Sequence, residues 1–108
     1  MKNPLKNKNN SGIYLLLCKY KNITLLKIGK SENVFKRYKQ HKTSNPNIEF
    51  LCYIQTEHLN IESELHYKFS SHRYSKEWFN YDYSIINFFE KHCSYNNHHE
   101  DKTIMSKA

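Results

Sequence analysis

The chain has 108 residues, the size of one domain, with 17 Lys and Arg against 10 Asp and Glu and a formal net charge of +7. A chain of this size can bury one core without disulfide staples, and the surplus of cations points to a polyanionic partner, nucleic acid first. The three cysteines, Cys18, Cys52 and Cys93, include no CxxC pair, and no apolar run is long enough to cross a membrane, which argues against a disulfide scaffold, a zinc knuckle and a membrane partner. Residues 1–11 are Asn/Lys-rich and are expected to form a flexible N-terminal arm. They lack the apolar stretch of a signal peptide, so an intracellular location, cytoplasm or nucleus, is expected.

The segment "GIYLLLCK", Gly12 to Lys19, is apolar and contains β-branched and aromatic residues, which predicts a strand. A short polar turn follows, then "ITLLKIG", Ile23 to Gly29, as its antiparallel partner. Ser31 is the expected N-cap of a basic helix, with Glu32 in its first turn and Val34, Phe35 and Tyr38 as the inward stripe. Arg37 and His41 lie four apart and project from one side. Pro46 ends that helix.

Ile48 to Thr56 reads as a third strand, and Thr56 as the cap of a second helix over 57–72. Within it Ile61, Leu65 and Phe69 face the core, and Glu62 and His66 share a neighbouring stripe. "KEWFNY" reads as a short extended piece. Asp82 is expected to cap a last helix, Tyr83 to His92, with Ile85, Ile86, Phe88 and Phe89 on its buried side. Residues 94–108 have no period and are expected to be a disordered tail. The order predicts an α+β fold over 12–93, a small three-stranded antiparallel sheet flanked by helices.

"GIY" at 12–14, "KIG" at 27–29, and Arg37 with His41 together resemble the GIY-YIG nuclease superfamily. "IESELHYKF" and "EWF" narrow the resemblance to its phage and large-DNA-virus branch, close to the meiotically up-regulated-gene nuclease-like domains. It implies a GIY-YIG-like fold and a DNA endonuclease that hydrolyses phosphodiesters with one divalent cation, Mg²⁺ or Mn²⁺. Carried over residue by residue, Tyr14 deprotonates the attacking water and Arg37 steadies the phosphate. Glu62 binds the metal, and His41 moves or positions a proton.

Lys27 stands where the pattern has a second tyrosine, and it is expected to touch the phosphate or to lower the pKa of Tyr14. Asn80 is the candidate for the family's late asparagine, and Gly29 is expected to let the backbone turn tightly into the helix. Lys30, Lys36, Arg37, Lys39 and Lys42, with Arg73 and Lys76 across from them, are the expected grip on the DNA backbone. A homodimer or a larger nuclease complex stays open. Two other readings stand beside the enzyme. One is a catalytically weak or inactive DNA-binding module on the same fold. The other is a zinc site built from His92, Cys93, His98 and His99, whose spacing matches no standard site.

Overall fold

The three long strands expected from the sequence form the middle of a larger antiparallel sheet. The computed structural model describes residues 10–93 and the backbone of residues 95–96. β1 (Gly12–Tyr20) and β2 (Ile23–Ser31) form a hairpin closed by a two-residue turn, in which Lys21 has φ 56°. β3 (Ile48–Gln55) pairs on the other side of β1. β4 (Arg73–Ser75) and β5 (Trp78–Asn80) form a second hairpin that adds to β2, and the backbone of β6 (Tyr95–Asn96) adds to β3. The order is β4-β5-β2-β1-β3-β6.

The α+β class holds, but a sheet of three strands was too small an expectation. The extra strands are two or three residues long, too short to carry a readable alternation. Of the segment 94–108, Tyr95 and Asn96 are paired rather than loose, and the remainder lies outside the described residues. At the other end residues 1–9 lie outside them too. Asn10 and Ser11 are tied in: the Asn10 carbonyl accepts from the Val34 N–H at 2.9 Å, and the Ser11 hydroxyl donates to the Thr56 carbonyl at 2.8 Å.

Strand alternation splits the core in two. Ile13, Leu15, Leu17, Leu26 and Ile28 point to the face covered by α2 (Ile61–Lys68) and α3 (Tyr83–His92), where Leu65, Phe79, Ile85 and Phe89 complete the packing. Each such side chain, fully withdrawn from water, contributes roughly 1.5–3 kcal/mol. Tyr14, Leu16 and Cys18 point to the opposite face, where α1 (Val34–Ser44) sets Val34, Phe35 and Tyr38 against Phe50 and Tyr53. A bulge at Leu51 divides β3: Leu15 pairs with Cys52 but Leu16 with Phe50, so Phe50 and Cys52 serve opposite faces.

Two caps differ from expectation. Asn33 caps α1, its Oδ1 accepting from the Lys36 N–H at 3.1 Å, while Ser31 ends β2 and its hydroxyl steadies Asn33. Glu32 therefore precedes the helix. The second helix is shorter than 57–72: Thr56 makes a local turn with the His58 N–H, and after Lys68 the chain tightens into a 3-10 turn at Ser70–His72. Asp82 does cap α3, accepting from the Ser84 N–H at 3.0 Å.

Candidate active site

Tyr14 faces α1 from the start of β1 and is 2% exposed. Its register partner on β2 is Gly29, and the phenol lies across that glycine. A Cβ at position 29 would stand 2.3 Å from both Cζ and Oη of Tyr14. Gly29 has no positive φ, so it is there to seat a ring, not to turn the chain as expected. From this seat the hydroxyl reaches across to α1 and meets Nε2 of His41 at 3.1 Å, with the two rings tilted 58°. Arg37, one turn earlier on the same exposed side of α1, bonds Gln40 at 3.0 Å and also polarises the Tyr14 hydroxyl.

The pairing of β5 to β2 covers only Leu25 to Lys27. Past Lys27 the β2 edge is closed by the two-residue loop of the β4–β5 hairpin, where Lys76 has φ 55° and Glu77 follows. The Ile28 N–H donates to the Glu77 carbonyl at 3.1 Å. The Glu77 carboxylate meets the Lys27 ammonium at 3.1 Å, and that ammonium also lies 5.0 Å over the Trp78 ring. Lys27 is thus on the Tyr14 face, held between an anion and an indole.

On the other side of the same edge stands α2. His66 donates from Nε2 to the Ile28 carbonyl at 2.9 Å and packs edge-on to Phe79, a structural role. Glu62, one turn earlier, is 8% exposed. Its Oε1 is 4.0 Å from the Lys30 ammonium and its Oε2 is 3.6 Å from His66 Nε2, beyond hydrogen-bond range. Oε2 is buried with no hydrogen-bond partner at all.

The charges act on one another. Burial pushes the Tyr14 phenol above its usual 10.0; Arg37 opposes this and the Glu77 carboxylate adds to it. The phenol is thus raised and not lowered as expected, and Lys27, the cation offered for that role, is paired with Glu77. Burial, then the Lys27 and Arg37 charges, hold His41 below 6.5, in its neutral form. Burial and the neighbouring Glu77 raise Glu62 above 4.5, against the pull of His66, Lys30 and Lys27. Tyr14, Lys27, Arg37, His41, Glu62 and Glu77 therefore share one electrostatic neighbourhood at the β2 edge.

A buried carboxylate oxygen without a donor suits a hard cation, and Glu62 is the residue that fits one. Among the described residues no three His, Cys, Asp or Glu side chains group as a protein-only metal cage. A single carboxylate completed by water and phosphate oxygens is an ordinary Mg²⁺ shell. His92 and Cys93 sit at the end of α3, where the Cys93 thiol donates to the Glu90 carbonyl; His98 and His99 lie outside the described residues.

Asn80 is not part of the cluster. It pairs with Leu25, two positions down β2 from Lys27, and lines an open pocket of about 830 Å³ with Leu17, Thr24, Tyr81 and Tyr83. Among the expected DNA-gripping residues, Lys30, Lys36, Arg37 and Lys39 are exposed around the site. Lys42 is engaged at the Ile48 carbonyl at 3.0 Å, and Arg73 staples its own hairpin at the Lys76 carbonyl at 2.6 Å. Lys76 is exposed in that loop. Glu77 escaped the sequence reading. Its signal was local: an acid directly before the Trp78–Phe79 pair, invisible in role until Trp78 is placed opposite Lys27.

The family model described as the T5orf172 domain matches residues 11–93. That is most of the chain, and the chain belongs to this family, a phage-associated domain of the nuclease-related group. No curated protein and no solved structure matches it.

Proposed function

From that membership and this geometry, we propose that the chain binds DNA and hydrolyses its phosphodiester bonds as a GIY-YIG-type, divalent-metal-dependent endonuclease. The observation that supports the proposal is Oε2 of Glu62, buried without a hydrogen bond, on a carboxylate whose charge reaches the Tyr14 phenol that meets His41. A buried carboxylate oxygen left without a hydrogen bond costs stability, and a bound cation would offset that cost. Glu62 is the residue that would hold Mg²⁺ or Mn²⁺, and the ion, when bound, supplies a Lewis acid for the phosphoryl oxygens.

This chain's own residues do the rest. Arg37 neutralises charge on the phosphoryl group with its planar fork. Tyr14 cannot begin as a phenolate, because burial raises its pKa. It works as a base only if its proton leaves as another arrives. Neutral His41, 3.1 Å away, accepts that proton at Nε2 while the phenol oxygen takes one from the attacking water. Lys27 presents its ammonium to the same phosphate. One site cuts one strand at a time.

The second reading is a DNA-binding module that does not cut. The raised Tyr14 pKa and the lysine at position 27 favour it. Incubation of supercoiled plasmid with Mg²⁺ or Mn²⁺ separates the two. The enzyme gives metal-dependent nicking that Arg37→Ala and Glu62→Gln abolish. Salt-sensitive binding with no nicking under either metal overturns the proposal in favour of the module.

A further inference from the structure

We infer that Glu77 is a positioning residue, which holds the Lys27 ammonium at the site edge so that it meets the phosphate there. The inference rests on the phosphodiesterase reading and adds a residue to it. A lysine side chain loses rotamer entropy when fixed, and its strongly hydrated ammonium favours open water. Lys27 is nevertheless fixed and 12% exposed, between the Glu77 carboxylate at 3.1 Å and the Trp78 ring at 5.0 Å.

The carboxylate is itself well placed. Glu77 is the second residue of a two-residue loop, and its carbonyl takes the N–H of Ile28, the residue next to Lys27. The strand that carries the lysine thus also fixes the backbone of its anchor. Arg73 closes the loop from behind, on the Lys76 carbonyl. An ammonium has three donors. One is spent on Glu77, which leaves two that a phosphate oxygen could use.

Glu77→Gln tests this. It keeps the shape and the backbone bond, removes the anchoring charge and raises the net charge by one. Short-duplex DNA at fixed salt should bind as tightly as to wild type or more tightly. Single-turnover nicking should nevertheless slow by on the order of ten- to a hundredfold, the scale of a misplaced catalytic group. Glu77→Asp, with the charge on a shorter arm, should recover part of the rate. A structural loss would weaken binding and rate together.

The lysine itself gives a second readout, by brief acetic anhydride labelling and peptide mass spectrometry. In wild type Lys27 should label slowly beside Lys30, whose side chain is 50% exposed. In Glu77→Gln, Lys27 labelling should rise and Lys30 labelling should not. Unchanged Lys27 labelling, or nicking by Glu77→Gln at or above the wild-type rate, overturns the inference. If wild type does not nick, the nuclease reading fails separately, and the labelling alone decides whether Glu77 holds the lysine. Should Glu77→Gln unfold, Glu77→Ala, which also removes the charge, is read the same way.

Discussion

Replacing Gly29 with alanine puts the central contact of the site to a thermodynamic test. The new Cβ would lie 2.3 Å from both Cζ and Oη of Tyr14, far inside van der Waals contact, and the side chain is buried. Overpacking of this kind costs about 1–3 kcal/mol. Against it stands a gain: with no positive φ to protect, alanine relieves the roughly 0.5–1 kcal/mol that glycine costs inside a strand. The net expectation for Gly29→Ala is a loss of about 0.5–2 kcal/mol. In a Tyr14→Ala background the clash is gone and the sign reverses, so the same substitution should stabilise by about 0.5–1 kcal/mol. The double-mutant cycle, read by urea unfolding of four proteins, should give a coupling of about 1–3 kcal/mol. Equal effects of Gly29→Ala in both backgrounds would refute the idea that the glycine seats the ring.

The remaining predictions follow from the charges. Glu62→Gln should raise stability at neutral pH. A carboxyl whose folded pKa lies above 4.5 holds its proton more tightly in the fold, so wild type loses stability as pH rises through that window and the glutamine variant does not. Thermal unfolding of both proteins at a series of pH values checks this; parallel curves would contradict it. The His41 C2–H resonance should titrate below 6.5, and nicking should fall on the acid side as the imidazole gains the proton that stops it accepting from Tyr14. A midpoint at or above 6.5 would contradict the assigned roles. DNA affinity should fall with salt, and Lys36→Ala or Lys39→Ala should each reduce the slope of log affinity on log salt by about 0.9. Lys42→Ala and Arg73→Ala should reduce it by less than half of that, because both cations are engaged by backbone carbonyls.

How much of this the sequence carried depends on the distance over which each residue is specified. The hairpin, the α1 stripe and the Asp82 cap all depend on neighbours a few residues away, and all were legible. So were Tyr14, Arg37, His41 and Glu62 as candidates, because the motif order marks them. The limits of α2 were misread because Leu65 and Phe69 continue the helical period while the backbone leaves the α-helix after Lys68. The α1 cap was misplaced by two residues because serine and asparagine cap equally well and the strand runs on through Ser31.

Gly29 and Glu77 show the harder limit. Each was visible as a residue type, and each has its reason in a partner that only register reveals. For Gly29 the reason is a phenol fifteen residues back, brought opposite by the β1–β2 pairing. For Glu77 it is an ammonium fifty residues back, brought near because β5 begins only at Trp78 and the hairpin loop before it closes the edge. The lysine that stands where the GIY-YIG pattern has a second tyrosine thus comes with its own counter-charge. Read alone, Lys27 suggests a damaged site. Read with Glu77 and Trp78, it is a held charge on the same sheet face as a phenol that has His41 within reach, the arrangement that the proposed phosphodiester chemistry would use.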